Sequence, residues 1–179
     1  MTWPSRRVGA FVLAVLAGIG VGMLVLRRTL RTKGGAAAVS ANKEIIRRVV
    51  DGVWRDRNFA VVDELVAQDY VAHDPTQTEP IQGRDGFKQW VGMYHSAFED
   101  ATVTIDDQIA EGDQVVTRWT GRGTHTGELM GIAPTGKEVT VSGMTISRLA
   151  GGKIAEEWEL MDALGMLVQL GAVPQPATA

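Results

Sequence analysis

Apolar residues first recur at helical spacing and later alternate with polar ones. Ile45, Ile46, Val49, Val50, Val53 and Trp54 fall three and four apart, the stripe of an amphipathic helix that Ser40 is placed to cap and that runs to about Arg57. Asn58 is a candidate cap for a short second helix carrying Val61, Val62, Leu65 and Val66 and ending near Gln68. Residues 70–75 read as extended and 76–83 as an irregular loop. Phe87, Trp90, Val91, Tyr94 and Phe98 predict a third helix whose aromatic stripe suits a core. From Ala101 the period becomes two. Val103, Ile105 and Ile109 mark one strand, and Glu111-Gly112-Asp113 turns the chain into a second over 114–122. Residues 139–149 and 153–160 flank Gly151-Gly152 and read as an antiparallel hairpin. Residues 163–170 form a short amphipathic segment before a Pro- and Ala-rich tail, 175–179. Helices followed by a glycine-bent antiparallel sheet define an α+β domain, with three helices over one face of the sheet and a pocket between them.

The N-terminus differs. Residues 9–26 carry no charged side chain, and at about 1.5 Å per residue the run would reach about 27 Å as a helix, enough to cross a hydrocarbon core. Residues 1–33 therefore read as a membrane anchor built on a single transmembrane helix, with Arg6 and Arg7 before the run and Arg27, Arg28, Arg31 and Lys33 after it. A secretory signal peptide cleaved near Ala36-Ala37-Ala38 is the rival, but four basic residues between run and site match a stop-transfer flank better. The basic excess after the run places the remainder in the cytoplasm, with export as the alternative. Residues 34–40 read as a flexible linker and 41–174 as the domain.

Charge sharpens this division. The whole chain has 18 Lys+Arg and 21 Asp+Glu, a net charge of −3; residues 41–179 retain 12 basic and all 21 acidic side chains, a net charge of −9. Such a domain, without a basic stripe, is poorly suited to nucleic acid. The absence of cysteine excludes disulfides, cysteine-ligated metals and thiol nucleophiles, and His73, His95 and His125 are too scattered for a metal cage.

A series of short motifs carries a resemblance. Tyr70-Val71-Ala72-His73-Asp74-Pro75, Gly123-Thr124-His125-Thr126-Gly127-Glu128, residues 131–137, Gly152-Lys153-Ile154, Glu157-Trp158, Asp162-Ala163-Leu164-Gly165 and Gln169-Leu170-Gly171 stand in the order seen in SnoaL-like polyketide cyclases, also called ester cyclases. Over residues 42–173 the chain resembles that family. The resemblance implies the cone-shaped nuclear transport factor 2-like fold, dimerisation through the outer sheet face, and an intramolecular aldol cyclisation without metal or organic cofactor. A small apolar substrate is the implied partner. By distance from the Gly-Lys-Ile turn, Glu159 falls where these cyclases carry their acid/base aspartate, and Asp162 matches a recurring aspartate beyond the strand. The histidine implied on the preceding strand is Thr145 here.

The residues themselves leave alternatives open. Alternation places Glu157 and Glu159 on one face of the last strand and Glu156, Trp158 and Leu160 on the other, without saying which lines the cone. Asp162 is either catalytic or the N-cap of the final helix. His73 is either a proton shuttle at the cone mouth or a loop histidine bonded to backbone. The candidate catalytic set is Glu159, Asp162 and His73. Tyr70, Trp90, Arg118, Trp119, His125, Thr145, Glu157 and Trp158 are the candidate substrate-binding residues. Arg118 would pair with a carboxylate or an oxyanion, His125 would contact ligand or hold its hairpin, and the tryptophans, Trp54 included, would form core and pocket walls. His95, opposite the apolar stripe, is expected to be exposed.

Overall fold

The computed structural model describes residues 35–174. The chain divides between Ala38 and Val39 into two units, of which the second, Val39–Ala179, carries the sheet and the site. Residues 35–50 are helical (α1) and pass into a π-helical turn over Asp51–Arg55, closed by the Asp56 N–H donating to the Asp51 carbonyl at 3.0 Å. Ile46, Val49 and Val53 are the buried residues of the predicted stripe. Gly52 sits where a Cβ would crowd Val61 Cγ1 at 2.8 Å, so its missing side chain lets the short helix α2 (Ala60–Leu65) pack close. The Asn58 side chain accepts the Ala60 N–H at 3.0 Å. Helix α3 (Gly83–Ala97) buries Phe87, Val91 and Tyr94 against the sheet, and α4 (Ala163–Leu170) follows the last strand.

Six strands form one sheet: β1 (Val66–His73), β2 (Ile81–Gln82), β3 (Thr102–Glu111), β4 (Gln114–Thr124), β5 (Glu138–Ala150) and β6 (Lys153–Met161), in the order β2-β1-β6-β5-β4-β3. The pairings are antiparallel except β1 with β6, which run parallel. The sheet is therefore mixed, where a wholly antiparallel one was predicted. The second helix also stops at Leu65, so β1 begins four residues before the predicted extended segment.

Two bulges decide which side chains face in. In β3 the pairing shifts between Ile105 and Asp107, so Val103 and Ile105 face the helices but the next inward residue is Gln108. Ile109, predicted to share their face, is instead 67% exposed. In β6 an extra residue at Ala155 shifts the register between the Leu149–Ile154 and Arg148–Glu156 pairs. Ile154 and Glu157, three apart, consequently both point inward. The buried apolar residues form two clusters, one including Val53, Tyr70 and Phe87, the other Phe98, Val139 and Met166, with Trp54 and Trp90 packed against both.

The predicted transmembrane helix does not stand as part of this fold: among the described residues no helix is long and apolar enough to cross a membrane. The anchor assigned to residues 1–33 lies outside the described residues, so neither a membrane location nor the export alternative is carried forward. Residues 35–40, predicted as a linker, are helical, and α1 therefore begins before Ser40 rather than at a cap there. The predicted tail also lies outside the described residues.

Candidate active site

Strand register aligns the inward side chains in rows. Val115, Ser147, Glu157 and Ala72 lie side by side across β4, β5, β6 and β1, and the next row contains Thr117, Thr145 and Glu159. Asp74 continues the inward alternation of Tyr70 and Ala72 just past the end of β1 and is buried. The row of helix α3 facing this wall supplies Phe87, Trp90 and Tyr94.

Each carboxylate has its own set of donors. Glu157 accepts the Tyr70 hydroxyl at 2.7 Å and the Ser147 hydroxyl at 2.6 Å. Its burial pushes its carboxyl upward against the pull of those two bonds, and the Tyr70 phenol is pushed well up by burial and by the Glu157 charge. Asp74 accepts the Thr76 N–H and hydroxyl, both at 2.8 Å, and the Trp90 indole N–H at 3.2 Å. Glu159 accepts one bond, from the Thr145 hydroxyl at 2.8 Å, while Thr145 accepts the Trp119 indole N–H at 3.0 Å. Gly143 lies beside Trp119 in the β4–β5 register, and a Cβ there would overlap the indole ring; the bare glycine lets the ring lie flat and aim its nitrogen at Thr145. Desolvation, then the Glu157 charge, with Asp74 adding to both, raises Glu159 from the ordinary 4.5 to about 8, with the Thr145 bond working against the rise.

These groups border a cavity of about 140 Å³ whose walls include Trp54, Phe87, Trp90, Tyr94, Phe98 and Trp119. That volume matches a ligand of roughly single-ring size. A carboxyl group near 8, fixed by one hydroxyl in an apolar enclosure, can exchange a proton with a weakly acidic carbon or a carbonyl oxygen near neutral pH. Among the described residues no cluster of three or more His, Asp or Glu side chains is arranged to hold a metal ion.

Of the candidate residues, the fold brings Tyr70, Trp90, Trp119, Thr145, Glu157 and Glu159 together around or immediately behind the cavity wall. The other five lie elsewhere. His73 is on the outer sheet face, stacked on Trp158 at 5.4 Å and bonded to Glu156 at 3.0 Å, because alternation from inward Ala72 turns it away. Trp158 shares that outer face. Arg118 also points outward and pairs with Asp106 at 3.0 Å, not with a cavity carboxylate. His125 is fully buried behind the wall; its Nδ1 accepts the Thr135 N–H at 3.2 Å and its ring packs on Phe98, so it holds the loop between β4 and β5. Asp162 is exposed and accepts the Gly165 N–H at 2.8 Å as the N-cap of α4. His95, predicted to be exposed, is buried edge-on against Trp54 at 5.2 Å.

Asp74, Tyr94, Thr117 and Ser147 also border the cavity, although none of them was expected there from the sequence. For Asp74 a signal existed: once Tyr70 is inward, alternation carries Ala72 and Asp74 inward and excludes His73. Thr117 and Ser147 share parity with Trp119 and Thr145 on their strands. Tyr94 gave only a core signal, since its helical spacing does not distinguish a packed ring from one whose hydroxyl reaches a cavity.

Comparison with known proteins accords with this architecture. The chain is 29% identical over 111 residues to nogalonic acid methyl ester cyclase of Streptomyces nogalater, covering 62% of this chain and 83% of the relative. The structure of IdmH of Streptomyces antibioticus, a candidate polyketide cyclase, superposes with a TM-score of 0.64 at 31% identity over 73% of this chain and 98% of that one. A candidate SnoaL-like polyketide cyclase from Jannaschia sp. CCS1 shares the fold, with a TM-score of 0.70 at 23% identity over 76% of this chain and 95% of that one. Residues 44–170 match the family model described as SnoaL-like polyketide cyclase. The chain belongs to the SnoaL-like polyketide cyclase family.

Proposed function

We propose that residues 41–174 form a cofactor-free acid/base catalyst that closes a ring in a small, largely apolar carbonyl compound by intramolecular aldol addition, with Glu159 as base and then acid. The observation that carries this reading is Glu159 itself: a half-buried side chain whose carboxyl is desolvated and raised to about 8, bonded to Thr145 and lining an aromatic cavity. At pH 7 roughly a tenth of such a group is ionised. The ionised form takes a proton from carbon beside a carbonyl, and the C–H electron pair becomes the enolate double bond as the carbonyl pair moves to oxygen. The enolate carbon then bonds to a second carbonyl carbon, whose oxygen recovers the proton from Glu159. Substrate positioning by the aromatic walls supplies the remainder of the rate.

The experiment incubates the full chain with nogalonic acid methyl ester, the compound in the relative's name, and follows ring closure by mass spectrometry. Wild type should form cyclised product, and Glu159→Gln should lower kcat by about 100-fold or more. Equal turnover in the two proteins would remove Glu159 from the mechanism; binding of the ester without turnover by wild type would leave a binding module.

A second reading, isomerisation by proton transfer within one carbonyl compound, is favoured by the extra buried polar groups Glu157, Ser147 and Asp74 near the same carboxyl. A homodimer is part of the proposal. Met144, Ile146, Trp158 and Leu160 are paired neighbours on the outer sheet face and are all substantially exposed, an apolar patch that a second copy of the chain would cover.

A further inference from the structure

The buried hydroxyls on the cavity wall differ in how they are satisfied. Thr117 accepts from Gln108 at 3.3 Å, and Thr145 and Ser147 donate to Glu159 and Glu157. Tyr94 is 8% exposed, and its hydroxyl meets only the Met161 thioether at 4.0 Å. A thioether is a weak acceptor, so this O–H has left water without gaining an equal partner. The ring is held in place: Trp90 packs edge-on at 5.5 Å and Trp54 lies tilted at 6.3 Å. Burial, then the charges of Asp74 and Glu159, holds the phenol in its protonated form. It is thus a fixed donor on a ring that lines the cavity from the helix side, while Glu159 lines it from the sheet side.

We propose that Tyr94 is a catalytic residue that donates its O–H to the substrate carbonyl oxygen as that oxygen becomes the enolate. This rests on the aldol reading of the Glu159 site. The Trp90 and Trp119 indole N–H groups are already committed to Asp74 and Thr145, whereas the phenol gives up only a thioether contact to meet the new charge. As Glu159 removes the carbon-bound proton, the electron pair released reaches the oxygen facing Tyr94. The phenol keeps its proton throughout and the oxyanion receives a shorter hydrogen bond. Met161 is displaced from the hydroxyl when the carbonyl enters, at little cost because the bond lost is weak.

The test compares wild type, Tyr94→Phe and Glu159→Gln, all as the full chain. One arm measures affinity for 4-nitrophenolate, a single-ring oxyanion, and for nitrobenzene, a neutral ring of similar shape. Tyr94→Phe should weaken 4-nitrophenolate by about 10-fold and nitrobenzene by less than about 2-fold. The other arm measures turnover of nogalonic acid methyl ester, where Tyr94→Phe should lower kcat by about 100-fold with KM changed by less than about 3-fold. If the two probes weaken equally, or neither weakens, Tyr94 only packs and the inference fails. If Glu159→Gln abolishes turnover but Tyr94→Phe does not, the aldol reading survives and this inference is overturned. If wild type neither binds 4-nitrophenolate nor turns over the ester, both fall together.

Discussion

Glu159 is held in a state that water would not allow, and that ties stability to pH. Its carboxyl is raised in the folded protein to about 8 from the ordinary 4.5. Between those values the folded chain binds more protons than the unfolded chain, so stability falls as pH rises. The melting temperature should decline from pH 5 to pH 9, and Glu159→Gln, which cannot ionise, should flatten that decline; a parallel decline in both proteins would assign it to other groups. Turnover runs the opposite way, since the ionised form is the base, and should rise through pH 8. The identity of this pair of acids was legible in the sequence, but their direction was not. On β6 the apolar partners of the alternation, Trp158 and Leu160, are outside, and the acidic Glu157 and Glu159 are inside. Read alone, the strand suggests the reverse. The extra residue at Ala155 shifts the phase after inward Ile154, and a backbone irregularity of that kind leaves no mark in side-chain periodicity.

At the scale of elements, helix termini and strand ends explain why two candidate residues stood open in the sequence. Asp162 follows β6 immediately and precedes α4, so motif position and capping chemistry pointed to the same residue. The structure gives it the cap, with its carboxylate on the Gly165 N–H. Asp162→Ala should therefore cost about 1 kcal/mol in urea denaturation and leave kcat for the ester within about 2-fold of wild type; a loss of turnover comparable to that of Glu159→Gln would return Asp162 to the chemistry. His73, expected at the cone mouth, faces outward for a different reason. It sits at the last paired position of β1, where a loop reading and a strand reading differ by one residue and therefore by a whole face. The helices were read more securely because each repeats its stripe over several turns, as Phe87, Val91 and Tyr94 do on α3. The parallel β1–β6 pairing could not be read locally, because its partners are more than 80 residues apart in sequence.

At the scale of the whole domain, the described residues pack helices on one face of the sheet and none on the other. Helices α1 to α3 and the cavity take the inner face, while Met144, Ile146, Trp158 and Leu160 remain exposed on the other. If a second copy covers them, Ile146→Glu should shift the full chain from dimer to monomer in sedimentation, with the melting temperature becoming independent of protein concentration; a wild type that sediments as a monomer would exclude the dimer. The end of the β1–β6 pairing has another consequence. The ladder stops at His73 and Trp158, whereas β6 continues to Met161 with β5 on its other side. Glu159 therefore stands on a strand tip tethered along one edge. The cavity wall at Glu159 is joined to the sheet through β5 alone, so a substitution that weakens the Thr145–Glu159 stretch of the β5–β6 pairing acts on that wall with no β1 pairing to compensate.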